Sequence, residues 1–294
     1  MKMAFRTVVI TQHCKINYQL NHLKVRTEDN IAQIPVNDIS VLLIATTQAV
    51  ITGYCIAELL KENVKVIFCD DHGIPVGEIN GYFGNKLRNR CIAKQVHWDS
   101  KRTESLWQLI VQRKIENQGS LLSDLALNDT GFAELQATVA PGDSHNREAV
   151  AAKMYFPRLF GATFTRQDGA NLINAHLNYG YQIFMAALAR EIHSAGYLTE
   201  IGIHHVSSEN EFNLASDLME IFRPLVDRQV YEQRDKPLER EQKLALVDLL
   251  NDVVRINGHQ STVTNAMGEV TRQALDYLSG KRVELPEWVL KNEV

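Results

Sequence analysis

Residues 201–227 read IGIHHVSSENEFNLASDLMEIFRPLVD and combine imidazoles and carboxylates, groups able to move protons or bind metal. His204 and His205 stand side by side before a short polar loop, and Asp217 and Glu220 follow on a helix-like run. Asn213 reads as the N-cap of that run. Leu214, Leu218, Ile221 and Phe222 recur at i, i+4, i+7 and i+8, one buried face with Asp217 at its edge. Glu220, three residues on, is a helical neighbour of Asp217. Pro224 ends or kinks the helix. Taken alone, both acids read more readily as solvated surface carboxylates favoured near a helix start. Adjacent histidines point in different directions in most backbones, so at most one of the pair is expected to be a ligand.

A second stretch, PGDSHNREAVAAKMYF at 141–156, begins with turn and capping residues and becomes helical. Glu148 is followed at i+3, i+4 and i+7 by Ala151, Ala152 and Tyr155. Small residues on that side let another helix approach and draw the carboxylate inward, which is unfavourable without a partner. A divalent cation is a partner that carboxylates and an imidazole can share. The competing reading is a first-turn glutamate stabilised by the helix terminus. A mixed nitrogen and oxygen set suits Mg²⁺ or Mn²⁺ better than a thiolate-seeking metal. Such an ion polarises a phosphoryl oxygen and orients an attacking one.

The elements that must hold these groups fall into two parts. RTVVI (6–10), HLKVRT (22–27) and SVLLIAT (40–46) read as strands, and IPVNDI (34–39) places a proline at an edge or turn. Residues 48–62 read as a helix closed by Asn63, and 64–77 as a buried strand running into a turn. Strand, helix and strand over 40–70 suggest a nucleotide-binding unit, but the glycine-rich phosphate loop is missing. Beyond residue 95 the pattern turns helical: 103–118, 147–160, around 175–196, 240–256 and 266–280. The expected fold class is α+β, with a small β-rich N-terminal domain (1–80), a basic linker (81–95) and a larger all-helical catalytic domain (96–294). No internal repeat or low-complexity segment interrupts this division.

With 294 residues, 45% of them hydrophobic, the chain can build one large core or two ordinary ones. No apolar run reaches the roughly 18 residues of a membrane span, and the N-terminus lacks a signal-peptide pattern. Cys14, Cys55, Cys69 and Cys91 form no CxxC pair, against a zinc ribbon or disulfide scaffold and consistent with a reducing cytosol. The net charge of −4 leaves nucleic-acid binding open, because it depends on where cations cluster.

GDSHNREAVAAKMYFPRLFG, LNYGY, GYLTEIGIHH and FNLASDLMEIFRPLVD, with IPVNDI and KIENQ (114–118), resemble the CRISPR-associated endonuclease/integrase family, the universal catalytic subunit of spacer acquisition, most closely its type II form. The resemblance spans essentially the whole chain. It implies a β-rich domain joined to a helical catalytic domain, in a prokaryotic cytoplasm. It implies that Glu148, His205 and Glu220 are the catalytic metal ligands for Mg²⁺ or Mn²⁺, with Asp217 in support of them. It further implies attack by the 3′-hydroxyl of a prespacer duplex on a phosphodiester at the CRISPR repeat. The implied partners are DNA, a second copy of the chain in a homodimer, a small ferredoxin-like adaptation protein completing a heterohexamer, and the type II effector nuclease.

Polyanionic substrates turn attention to clustered cations. Lys86, Arg88, Arg90 and Lys94 follow Tyr82 and Phe83, and read equally as a phosphate-binding run whose aromatics stack on an unpaired base or as a solvated linker face whose aromatics are core. Arg147 and Lys153 flank Glu148, and Arg158 and Arg166 follow. Arg223 reads equally as a further phosphate contact or as a structural residue pairing with a carboxylate across the helical domain. Two other functions compete: a DNA-binding scaffold without chemistry, and a metal-dependent hydrolase of small phosphoesters. The first has no need of all three ligands, and the second predicts binding insensitive to salt.

Overall fold

The structure, a computed structural model, describes residues 6–71, 73, 75–79, 81 and 87–292. The chain divides into two compact units, Met1–Lys86 and Leu87–Val294.

In the first unit, β1 (Arg6–Ile10), β5 (Ile39–Ile44), β7 (Lys65–Cys69) and β8 (Pro75–Ile79) form one sheet, in which β5 lies parallel between β1 and β7. Every residue of β5 is buried, as a continuous apolar run in a central parallel strand should be. A second sheet has the order β4-β3-β2-β6, from β2 (Cys14–Gln19), β3 (His22–Arg26), β4 (Ile31–Pro35) and β6 (Ala49–Ile51). Leu20 and Asn21, at φ 49° and 61°, make the two-residue turn of the β2–β3 hairpin. The helix α1 (Gly53–Lys61) packs into the same core, with Ile16, Leu23, Leu42, Leu59 and Val66 fully buried. The Thr52 side chain caps it by accepting from the Cys55 N–H. Residues 48–62 are thus not one helix: parallel pairing with β2 makes 49–51 a strand. Asn63, at φ 55°, follows the helix end as its sequence suggested.

The second unit holds α2 (Arg88–Gln95), α3 (Ser100–Asp124), α4 (Phe132–Ala137), α5 (Arg147–Phe160), α6 (Leu172–Ser194), α7 (Asn213–Met219), α8 (Arg223–Gln233), α9 (Arg240–Asp248) and α10 (Val263–Leu278). Residues 88–95, read from sequence as linker, form α2, whose inner face buries Cys91 and Gln95. α3 and α6 are the long central helices. α3 packs on α4, α5, α7, α8 and α10, and α6 on α7, α8, α9 and α10. Side chains of Asp99 and Asn171 cap their N-termini. At Gly180 of α6 an added Cβ would stand 2.4 Å from Val226 Cγ1, so glycine lets α6 and α8 close on each other.

The all-helical expectation needs one correction. β9 (Val253–Ile256), β10 (His259–Thr262) and β11 (Leu290–Asn292) form a three-stranded sheet in the order β10-β9-β11. The helix expected over 240–256 stops at Asp248. From Val253 burial alternates out and in, and Asn257–Gly258, both at positive φ, turn the chain into a hairpin. Among the described residues no helix is long and apolar enough to cross a membrane, and all four cysteines are buried free thiols.

Candidate active site

Glu148 is fixed by how its helix begins. Gly142, Asp143 and Asn146 take positive φ values of 64°, 50° and 53°, so the chain turns sharply into α5. The buried Asp143 carboxylate accepts from the Arg147 N–H at 2.8 Å and the Glu148 N–H at 3.0 Å, satisfying two N–H groups that a helix start leaves open. Ala151 and Tyr155, the residues that marked Glu148's side of the helix in sequence, are fully buried.

The two histidines are put to different uses. Asp217, fully buried on α7, gathers the loop before it. Its Oδ2 accepts from the backbone N–H of Ile203 (2.5 Å) and His204 (3.1 Å), and its Oδ1 from that of His205 (3.1 Å). Oδ1 also meets His205 Nδ1 at 2.6 Å. A carboxylate in that place fixes the proton on Nδ1 and leaves the Nε2 lone pair of neutral imidazole open. The hydrogen bond to Asp217 raises the His205 pKa against the opposing effect of burial, and the charges of Asp217, Glu220 and Glu148 add to the rise. His204 instead stacks on the buried Trp107 of α3, ring centres 4.3 Å apart and 3° from parallel. Gly202 has no room for a side chain: an added Cβ would lie 2.4 Å from the His205 carbonyl oxygen and 2.7 Å from Asp217 Oδ2. Asn213 does not cap α7 with its side chain. Its amide donates to the carbonyls of Glu200 (2.9 Å) and Ser207 (2.8 Å), tying the loop together.

Glu220 lies where the helical run breaks. α7 ends at Met219 and α8 begins at Arg223, with Pro224 in the first turn, where its missing N–H has no consequence. Asn117 Nδ2 of α3 donates to the Ile221 carbonyl across this break at 2.9 Å. The three-residue spacing of Asp217 and Glu220 therefore does not make them one pair: Asp217 faces the histidine loop and Glu220 faces α3. There Lys114 Nζ stands 2.5 Å from Glu220 Oε2 and 2.6 Å from Glu148 Oε1. Arg223 Nε is 2.9 Å from Glu220 Oε1, and its guanidinium lies 4.4 Å from the Tyr181 ring centre. Glu220 Oε2 and Arg223 Nε are buried without a well-directed hydrogen bond, and the charges of Lys114 and Arg223 stabilise the carboxylate at these separations. Burial pushes the Glu220 carboxyl up, but Arg223 and Lys114 outweigh it and hold the group below its ordinary pKa. Burial likewise pulls the Lys114 ammonium down, and Glu220 and Glu148 more than restore it. The side chains of Lys114 and Glu220 are only 9% and 3% exposed, those of Glu148 and His205 25% and 39%. Lys114 and Glu220 thus form the floor of the cluster, and Glu148 and His205 its open side.

Behind the floor lies a buried polar group that the sequence did not disclose. Asp227 on α8 accepts from the Tyr155 hydroxyl of α5 at 2.8 Å and from the Tyr181 hydroxyl of α6. Burial pushes its pKa up to about 6, opposed by the two hydroxyls and by Arg223. It joins Glu148's helix to the one carrying Arg223. Lys114 was missed as well. The available signal was a cation between Ile110, Val111 and Ile115 on the buried face of α3.

The basic residues separate by partner. Lys86, with Tyr82 and Phe83, lies outside the described residues. Arg90 and Lys153 are exposed, and Arg88 and Arg147 half-buried. Lys94 Nζ donates to the Ser279 carbonyl at 3.3 Å. Arg158 donates to the carbonyls of Asn128 and Thr130 at 3.0 and 2.9 Å. Arg166 holds the side-chain oxygens of Asn174 and Asn178 at 2.5 and 2.8 Å. These last two guanidiniums therefore have structural partners within their own unit.

Among the described residues, no three His, Cys, Asp or Glu side chains stand together as a ready-made metal cage. The donor set nevertheless fits a hard divalent cation in kind. Two carboxylates converge on one cationic position, one of them through an oxygen without a directed hydrogen bond, beside an imidazole whose Nδ1 is held by a buried carboxylate.

Fold and cluster together define a two-unit α+β protein whose helical unit carries a carboxylate–imidazole centre around a buried cation. Residues 7–238 match the family model described as CRISPR associated protein Cas1, and the chain belongs to that family. A relative named CRISPR-associated endonuclease Cas1, from Neisseria meningitidis serogroup C (strain 8013), is 35% identical over 237 residues, 79% of this chain and 77% of that protein. The fold is similar to that of a casposase bound to integration product, with a TM-score of 0.79, 20% identity, and coverage of 95% of this chain and 92% of that one. It is also similar to a chain of a Cas6-RT-Cas1–Cas2 complex, with a TM-score of 0.71, 18% identity, and coverage of 96% of this chain and 36% of that one.

Proposed function

We propose that this chain is a divalent-metal-dependent DNA endonuclease/integrase of CRISPR adaptation that joins prespacer 3′-hydroxyls to the CRISPR repeat. The observation that carries the proposal is the convergence of Glu148 and Glu220 on one buried cationic position beside His205, in a chain of this family. Glu148, Glu220 and His205 Nε2 would hold Mg²⁺ or Mn²⁺, and the ion would supply Lewis-acid stabilisation of charge on the phosphoryl oxygens.

The chain's own groups account for the rest. Asp217 holds His205 in one tautomer and prevents the ring from turning. Arg223 fixes Glu220 from the side away from Lys114, so the buried carboxylate keeps one orientation. Glu148 and His205, on the open side, face the substrate. In the joining step one P–O bond forms to the prespacer 3′-oxygen and one breaks to the repeat strand's 3′-oxygen. The attacking hydroxyl's proton leaves to solvent and the departing oxygen gains one. Because bonds are exchanged rather than lost, rigid placement of both DNAs supplies much of the acceleration. Water in place of the 3′-hydroxyl turns the same geometry to cleavage. The solved relatives with integration product and with Cas2 support DNA and a small adaptation protein as partners. The homodimer, the type II assignment with its effector nuclease, and a cytoplasmic setting belong to the same proposal. Arg90 and Lys153, exposed in this structure, are the preferred phosphate contacts, with Arg88 and Arg147 beside them.

The test is transfer of a labelled prespacer duplex into a repeat-bearing plasmid with Mg²⁺ or Mn²⁺ and the small partner. Metal-dependent joining that Glu148→Ala abolishes while DNA binding persists supports the proposal. Binding without joining by the wild type would favour a scaffold, and joining that survives Glu148→Ala would remove the metal ligands proposed here.

A further inference from the structure

Lys114 sits where the proposed ion would have to sit. Its Nζ is 2.5 Å from Glu220 Oε2 and 2.6 Å from Glu148 Oε1, separations close to the roughly 2.0–2.6 Å at which Mg²⁺ and Ca²⁺ stand from oxygen ligands. The other oxygen of Glu220, Oε1, faces Arg223 at 2.9 Å, so Oε2 is the one turned toward Glu148 through Lys114. An ion that takes Glu220 Oε2 therefore takes it from the ammonium, and a divalent charge beside an ammonium on the same oxygens is strongly repelled.

The two cationic side chains at Glu220 also differ in kind. Arg223 is anchored over the Tyr181 ring and has a rigid planar head. Lys114 ends in a compact charge on a flexible four-carbon stem, donating to Glu148 Oε1 at 2.6 Å and paired with Glu220 Oε2 at 2.5 Å. A buried carboxylate left without a cation is unfavourable, so a metal-free site needs a resident positive charge to keep its shape.

We propose that Lys114 is that resident charge: it closes the empty site by bridging Glu148 and Glu220, competes with the divalent ion for them, and withdraws from at least one of the two carboxylates when metal binds. The inference rests on the metal-binding reading of this site and adds to it a group that sets metal affinity from inside the fold. Lys114 is a positioning residue, and its effect is read in binding rather than in turnover.

The experiment is a Mn²⁺ titration of the full-length chain, following free Mn²⁺ by electron paramagnetic resonance, for wild type, Lys114→Met and Glu148→Ala. Thermal unfolding is recorded with and without metal. The expected result is that Lys114→Met binds Mn²⁺ about tenfold more tightly than wild type or better, since one repelling unit charge is gone. The metal-free variant melts below wild type, and Mn²⁺ restores it by a larger shift than wild type shows. Equal or weaker Mn²⁺ affinity in a folded Lys114→Met would overturn the proposal and make Lys114 a fixed strut.

If Lys114→Met does not fold, reductive methylation of the wild type followed by mass spectrometry decides the matter. Labelling at Lys114 should rise several-fold with Mn²⁺, and unchanged or slower labelling overturns the proposal. Should wild type bind no Mn²⁺ that depends on Glu148, the metal reading itself fails and this inference with it. Glu148-dependent binding with no effect of Lys114 sinks only the inference.

Discussion

Asp217 shows how much one buried carboxylate can organise within its own unit. It holds three successive backbone N–H groups and the His205 ring, so its removal acts on the site through the histidine. Asp217→Asn keeps the volume and loses the charge. It is expected to weaken metal binding by about 10–100-fold, the usual range for a group that orients a metal-ligating histidine, while circular dichroism stays native. Unchanged binding would mean that the loop keeps its shape without that charge. Asp227 gives a pH signature of opposite sign from an ordinary paired carboxylate. Its folded pKa, about 6, lies above the usual aspartate value, so the folded state keeps a proton that the unfolded chain has released. Its contribution is favourable at low pH and is lost as pH rises through roughly 4 to 6. Asp227→Asn should therefore flatten the fall in stability across that window, measured as denaturant midpoints at several pH values. A variant curve parallel to wild type would contradict the burial argument. Glu148, Glu220 and His205 were legible in sequence as types in a pattern. Lys114 was not, because a buried lysine inside a helix looks like surface until its two anionic partners are known.

At the scale of elements, two glycines separate stability from site geometry. Gly180→Ala drives a methyl into Val226 where α6 crosses α8. It should lower stability by about 1–3 kcal/mol, the range for overpacking a core, as read from chemical denaturation. Gly202→Ala meets the His205 carbonyl and Asp217 instead. It should disturb the histidine loop and reduce joining or cleavage more than it lowers the melting temperature. The reverse ranking would show that the loop carries fold stability rather than site geometry. Elements with strong periodicity were readable: the helix expected over 147–160 is α5, and the strand expected over 6–10 is β1. Those that depend on a distant partner were not. Ala49–Ile51 becomes a strand only because β2 lies beside it, and Val253–Ile256 only because β10 and β11 flank it. The helix expected to run on through Glu220 is two helices, α7 and α8, with Glu220 at the joint. The side chain of Asn117 on α3, remote in sequence, braces that joint.

For the whole molecule, the division into a strand-rich and a helical unit was visible as a change of period along the chain, because burying one face imposes period 2 on strands and 3.6 on helices. The net charge of −4 says little about DNA, since binding depends on where exposed cations such as Arg90 and Lys153 stand rather than on the sum of charges. Affinity for duplex DNA should nevertheless fall steeply with salt, with a log–log slope that lessens by about one when a phosphate-contacting cation such as Lys153 is replaced by alanine. A slope near zero would point to a small phosphoester as substrate. At this scale the proposal is that Glu148, His205 and Glu220, supplied by α5, a loop and the α7–α8 joint, act as one centre. It is tested most directly by measuring joining rates for Glu148→Ala, His205→Ala, Glu220→Ala and the triple variant, with DNA binding followed on the same samples. Each single substitution is expected to lower the rate about a thousandfold or more with binding kept. The triple variant should be no slower than the worst single one, as for residues that work as a unit. A single variant that keeps a substantial part of the wild-type rate would contradict it.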